Sequence, residues 1–385
     1  MSTTYKTIGG EALQDIARRV YGTASSTAKL RAANPGLLEP LAAGLTIRTP
    51  EAPNSRTSGA FGLSINFDGT TLAGYTSGRI TRTLDSIDSL ELSLPYDPNN
   101  SAQRAAFAPF RYAPLVAEYN GALLFDGVAV DISPETSAAG RKLTVGAYAR
   151  AGVLADCSSV PKSYKGKDLR YIAQDICEPF GVPVTFSAST GGAFGEYAYE
   201  GGDFWGFLVD TAKQRGLWVR STPTGGLEFF KPATTGAVAA ELIDGQPPAV
   251  SVSGAFASRG YYSDVTGATR SEPGRVGRKD TRKTGLDVYR PVFIDLNDIK
   301  PAELPTALDA AVSRMRAERA SYTVNVASWQ NRDGNLWEPG QFVTLQSDAW
   351  FLPDAVEFSV RSVELNFNES ASDATLQLVD AGVYK

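Results

Sequence analysis

The 385-residue chain contains no histidine. Histidine titrates closest to neutrality and is the commonest transition-metal ligand, so its absence removes the usual general base and most zinc or copper chemistry together. Ser-His-Asp and Cys-His nucleophiles, His-rich zinc centres and HExxH sites are excluded. Cysteine is nearly absent too. Cys157 and Cys177 are too few to staple a chain of this size and match no zinc spacing, so both read as reduced thiols, Cys177 on the buried stripe of a helix. No run approaches eighteen consecutive apolar residues, and the opening MSTTYKTIGGEAL has neither the basic start nor the apolar block of a signal peptide. A soluble chain made in a cytoplasm is expected. The formal charge of -5 is too mild to demand or forbid a polyanionic partner.

Against these absences stand 43% hydrophobic and 10% aromatic residues, ample for packed cores, in a length that suggests two to four domains. Residues 5 to 50 read as a βααβ unit. A strand at Tyr5-Lys6-Thr7-Ile8 precedes a helix with Leu13, Ile16, Ala17 and Val20 on one face, ended by Tyr21-Gly22. A second helix runs from about Ser26 to Ala33 with Leu30 inward and stops at Asn34-Pro35-Gly36, before a strand from Leu45 to Arg48. PEAPNSRTS, 50 to 58, is a linker.

From about 60 to 152 the apolar period drops to two. Leu90, Leu92 and Leu94 alternate in SLELSL, RKLTVGAYAR supplies another strand, and YNGALLFDGVAVDI offers two turn signals, Asn120-Gly121 and Asp126-Gly127. A β-barrel or sandwich is implied. Residues 153 to about 232 are mixed. Asp168 opens a helix with Leu169, Ile172, Ala173 and Ile176 inward, closed by Pro179 and Gly181. Asp203 caps a second helix bearing Trp205, Leu208, Val209 and Ala212, and a hairpin turns at Gly225-Gly226. From about 236 strands return, interrupted by a basic stretch at 270 to 290 read as a long exposed loop and by a helix bearing Leu304, Leu308, Ala311, Val312 and Met315. The predicted fold is α+β, predominantly β. Its domains are 1–52, 59–152, a small mixed domain at 153–235, and 236–385 with one helix near 305–319.

Carboxylates are the main catalytic chemistry left. Glu196, Glu200 and Asp203 in FGEYAYEGGDFW could serve a muramidase-like wall hydrolase, but the alternation suits an exposed strand and Asp203 has a capping role. The basic stretch has one aromatic, Tyr289, too little for a base-stacking platform, and is read as a solvated or subunit-bridging loop. The five tryptophans lie in apolar patterns and are assigned to cores.

The order TLDSIDSLELSLPY, EYNGALLFDGVAVDI, YKGKDLRYIAQDICEPFGV, EGGDFWGFLVDTAKQRGLWV and RMRAERASYTVNVASWQNRDGNLWEPGQFVTL resembles the baseplate hub proteins of contractile-tailed, Mu-like bacteriophages, relatives of the hub part of type VI secretion spikes. Tyr21-Gly22-Thr23, Asn34-Pro35-Gly36-Leu37 and Leu41-Ala42-Ala43-Gly44 resemble LysM modules, with Gly9-Gly10-Glu11-Ala12-Leu13 departing from the usual Gly-Asp-Thr-Leu loop. The hub resemblance implies two tube-like β domains per chain and a homotrimer joining a sixfold tail tube to a threefold central spike, with no reaction and no cofactor or metal. It places the protein in the virion, in a tail baseplate assembled in the host bacterial cytoplasm. Binding residues on the LysM-like loops would be Gly10, Glu11, Asn34, Pro35, Gly36 and Leu37. Their expected partners are other baseplate proteins, with peptidoglycan as the alternative; no membrane and no sequence-specific nucleic acid is expected.

Overall fold

The computed structural model describes residues 3–7, 12–14, 16, 27–35, 37, 39–42, 44–49, 62–137, 140–272, 275–296, 299–368 and 372–380. In the N-terminal unit, β1 (Thr3–Lys6) pairs antiparallel with β2 (Thr46–Thr49), and α1 (Thr27–Ala33) lies between them in sequence. Leu13, Ile16, Leu30, Leu41 and Ile47 form its core, as the helical stripe and the closing strand require. Most of the expected first helix, including Ala17, Val20 and Tyr21-Gly22, lies outside the described residues, as do the linker and Gly10, Glu11 and Gly36.

The next stretch is strand-rich. It comprises β3 (Leu63–Phe67), β4 (Thr70–Thr71), β5 (Ser77–Thr83), β6 (Ser89–Pro95), a short α2 (Ser101–Ala106), β7 (Pro114–Tyr119), β8 (Ala122–Ser137) and β9 (Gly140–Ala149). Leu90, Leu92 and Leu94 are buried as their alternation predicts. Asn120 and Gly121, with φ of 50° and 81°, turn the β7–β8 hairpin. Asp126-Gly127 does not turn. It sits inside β8, and Gly127 is there because a Cβ would overlap the Tyr148 carbonyl oxygen of the facing strand.

The middle segment holds α3 (Val153–Asp156), β10 (Lys162–Lys165), α4 (Leu169–Cys177), β11 (Val184–Phe186), β12 (Glu196–Tyr199), α5 (Phe204–Lys213), β13 (Trp218–Ser221) and β14 (Leu227–Phe230). Asp168 and Asp203 cap their helices by accepting from Tyr171 N at 2.8 Å and Gly206 N at 2.6 Å. Leu169, Ile172, Ala173, Ile176, Leu208 and Ala212 join one core. Cys177 is buried with them, and burial pushes its thiol up to about 12, which leaves it protonated at neutral pH.

Beyond it come β15 (Val238–Ile243), β16 (Ala249–Phe256), β17 (Asp264–Glu272), β18 (Arg275–Lys283), β19 (Pro291–Asp295), α6 (Leu304–Arg319), β20 (Ala320–Val326), β21 (Phe342–Ser347), β22 (Leu352–Asn368) and β23 (Ser372–Asp380). The basic stretch is therefore not a long loop. β17 and β18 form a hairpin that, with β19, makes a three-stranded sheet under α6. Two of its arginines are held locally: Arg282 bridges Asp309 at 2.6 Å and Asp280 at 2.8 Å, and Arg278 donates to the Pro301 carbonyl at 3.0 Å.

The two strand-rich stretches share one sheet of thirteen strands, joined where β5 pairs with β22. No sheet closes into a barrel among the described residues. Within that sheet an arrangement occurs twice. The first half lies in the order β3-β7-β8-β9-β6-β5 and the second in the order β15-β21-β22-β23-β20-β16. With the two-residue β4, which only extends the β3 edge, left out, and numbered along the chain within each half, both are first, fourth, fifth, sixth, third, second. Irregularities match as well. The fifth strand slips against the sixth between Ala129 and Asp131 in one half and between Val360 and Ser362 in the other. Just before the slip, Ala129 N donates to Ala113 O at 2.9 Å and Val360 N to Gln341 O at 2.8 Å. The halves differ in the first strand, antiparallel to the fourth in one and parallel in the other, and in what links the second strand to the third. That link is a short turn in the first half. In the second it carries the β17–β19 sheet and α6.

Candidate assembly surfaces

The β5–β22 seam is built by residues 77–83 facing 362–368 in antiparallel register, Thr83 opposite Ser362 and Ser77 opposite Asn368. One rung from its end Phe367 lies against Gly78, where a Cβ would overlap the ring and stand 2.6 Å from the Glu91 carbonyl. The turn leaving β5 ties all three regions together. Leu84 N donates to Arg361 O at 2.8 Å, and Arg361 bridges Asp85 at 2.8 Å. Leu84 packs with Trp218 and Phe230 of the mixed domain, and Arg314 of α6 stacks 4.7 Å from the Trp218 ring while donating to Leu217 O at 2.8 Å. Burial lowers Arg314 to about 10, so it stays a cation at neutral pH.

Asp88 is the buried acid of this junction. Its backbone N–H donates to Ser221 Oγ at 2.7 Å, its carboxylate accepts from Thr83 N at 3.0 Å, and Arg82 stands 3.9 Å away. Burial raises its pKa from 3.8 to about 6, against the opposing pull of Arg82. The folded state thus holds this proton more tightly than the unfolded chain, and the stabilisation is lost as pH rises through 6. Relative to Asp88→Asn, the unfolding free energy of the native protein is expected to fall by about 3 kcal/mol between pH 3 and 7. Urea titrations at several pH values measure it, and a difference that does not change with pH refutes it.

The structure places the sequence-predicted residues as follows. Asn34 donates through Nδ2 to the Leu30 carbonyl at 2.9 Å, closing α1, Pro35 is exposed, and Leu37 packs on the module's core. Glu196 and Glu200 are exposed and Asp203 is committed to its cap; Glu196 lines a recess with Arg215, Lys300 and Glu303, which neither Glu200 nor Asp203 joins. Among the described residues no group of histidine, cysteine or acidic side chains could hold a metal, and no helix is long and apolar enough to cross a membrane. Trp218, Trp329 and Trp337 are core residues. The seam itself was not anticipated; the one local signal for it is a glycine, Gly78, inside an otherwise regular strand.

Two strand-built halves of the same order, joined edge to edge and carrying a small α+β domain between them, are what comparison with known proteins matches. Residues 151–231 match the family model described as baseplate hub protein gp44-like, second domain. Over most of its length the chain is similar to baseplate hub and tail proteins of Mu-like phages. It is 26% identical over 328 residues to the baseplate hub protein gp44 of Escherichia phage Mu, covering 79% of this chain and 81% of that one. The fold is shared with the 43 kDa tail protein of prophage MuSo2 from Shewanella oneidensis, with a TM-score of 0.70, 21% identity and coverage of 83% of this chain and 98% of that one. A tail protein from Neisseria meningitidis MC58 gives a TM-score of 0.71, 20% identity and 84% and 97% coverage.

Proposed function

We propose that the protein works as a homotrimeric adaptor, three chains supplying six similar strand-built units in a ring. The repeated strand order carries this reading. A ring of six such units offers a sixfold tail tube six near-equivalent seats, while the covalent pairing of units leaves true threefold symmetry for a trimeric spike on the other face. The work is then geometric, with no catalytic step and no cofactor. Interfaces on the order of 2,000 Å² or more per pair of chains are required for an obligate assembly. The N-terminal unit is a LysM-like module outboard of the ring. Its loops at Asn34, Pro35 and Leu37, with Gly10, Glu11 and Gly36, dock on neighbouring baseplate proteins. The small apolar core and the cap made by Asn34 support a folded module of this kind.

Light scattering on the purified chain at micromolar concentration is expected to give three times the 41.0 kDa chain mass, and after deletion of residues 1–52 three times the mass of the shortened chain. A monomer overturns the reading. A trimer that falls apart on the deletion overturns the outboard placement of the module.

A further inference from the structure

The internal seam has two counterparts that the single chain leaves open. The seam lays the second strand of the first half, β5, on the fifth strand of the second half, β22, beyond that strand's slip. The corresponding elements are the second strand of the second half, β16, and the part of β8 beyond its own slip. Among the described residues β16 pairs only with β20, and residues 131–136 of β8 pair only with β9. β16 reads AVSVSGAF, eight residues without charge or proline, so it has few of the devices that keep an edge strand from pairing. Aromatic side chains stand open beside both edges. Phe256 is 51% exposed and meets Phe351, 79% exposed, by the β16 edge. Phe110 and Tyr112, 91% and 63% exposed, line a recess with Val130 and Ile132 at the β8 edge.

We propose that β16 of one copy pairs antiparallel with residues 131–137 of β8 in the next copy, in the register by which β5 lies on β22. This rests on the trimer reading and says which edges close the ring. The register follows from the repeat. Matching the two slips sets Ser362–Asn368 on Asp131–Ser137, and following the rungs through β23 and β20, and through β9 and β6, sets Ser77–Thr83 on Ser251–Ala257. Ile132 then faces Phe256, Ser133 faces Ala255 and Pro134 faces Gly254. Backbone directions agree. Ala257 N donates inward to Arg319 O at 2.7 Å, so the alternation of an antiparallel strand turns the N–H and C=O of Phe256 and Gly254 outward. Ile132 and Phe256 can exchange two hydrogen bonds, whereas Pro134 has no N–H and its rung has one. The Trp350 indole donates to the Val252 carbonyl at 3.0 Å, which marks the inner limit of the ladder. Covering Phe110, Tyr112 and Phe256 supplies the apolar part of the contact. Three such contacts alternating with three internal seams make a ring of six.

Ser133 and Ala255 form a non-hydrogen-bonded pair in this register, with Cα atoms about 4.5 Å apart, within reach of a disulfide. The test combines Ser133→Cys and Ala255→Cys in one full-length chain carrying Cys157→Ser, with light scattering on the same sample. Both positions are exposed, so neither half loses core contacts. Mild oxidation is expected to move more than half of the protein into covalent dimers and trimers on a non-reducing gel. Each single substitution should stay monomeric on that gel, and Ser133→Cys with Ser253→Cys should give at least tenfold less product. A trimer by light scattering that does not cross-link at 133 and 255 overturns the strand contact and leaves the trimer standing. Equal cross-linking at 253 overturns the register, and a monomer in solution overturns both proposals. In the assembled parent, the amide hydrogens of Ile132 and Phe256 are expected to exchange at least tenfold slower than in dilute, dissociated protein, and equal rates would overturn the pairing.

Discussion

Gly78→Val is expected to open the seam between the two halves. Valine itself suits the position in the strand, since the matching residue of the second half is Val252. What forbids it at 78 is the neighbourhood: the Phe367 ring and the Glu91 carbonyl already occupy the space, and one of them is backbone of the adjacent strand. A flexible side chain could swing away, but the Glu91 carbonyl moves only if β6 moves. Overpacking of this kind costs about 3 kcal/mol or more. Because Phe367 also packs edge-on to Tyr75 and Trp329, its displacement spreads into the cores of both halves. Urea unfolding of the variant is expected to separate into two transitions, one for each half, with Gly78→Ala intermediate. A single transition within about 0.5 kcal/mol of the parent would show that the seam contributes little.

Trp337→Ala has an expected effect of similar size for a different reason. The side chain is fully buried in the segment between β20 and β21, and its indole N–H donates to the Ser328 carbonyl at 3.0 Å. The backbone around it is equally committed: Trp337 N donates to Trp329 O at 3.0 Å, and Gly340, at a φ of +91° that favours glycine, donates to Val360 O at 2.7 Å. Truncation leaves a large cavity and a carbonyl without its donor, a loss of about 4 kcal/mol. Trp337→Phe keeps most of the volume and loses the hydrogen bond, so about 1.5 kcal/mol is expected. Denaturant titration at neutral pH decides it; a cost below about 1 kcal/mol for alanine would remove this segment from the core.

Local rules reached far into this fold. The caps at Asp168 and Asp203, the buried stripe of α4, the alternation of Leu90, Leu92 and Leu94 and the start of α6 beside Pro305 all depend on residues a few positions apart, where periodicity and capping chemistry are decisive. The failures have equally local causes. Asp126-Gly127 has the composition of a turn, but its glycine answers a close approach by Tyr148 that only the folded sheet creates. The basic stretch reads as a loop because its charges conceal a strand alternation, and their partners Asp309 and Pro301 lie outside it. The assembly surfaces were the least legible part. Nothing near Ser77 announces that Asn368 will face it, because an edge strand and a central strand differ by what arrives from elsewhere in the chain.

That distance also sets an order of events during synthesis. Residues 77–83 meet their partners about 280 positions later, so β5 emerges from the ribosome long before the strand that completes its sheet exists. At typical elongation rates the wait is roughly 15 to 60 s, far longer than strands of the first half need to find one another. The nascent first half must therefore hold an unfilled edge while the mixed domain and most of the second half are still being translated. Premature encounters between nascent chains on one messenger are the hazard that this architecture carries.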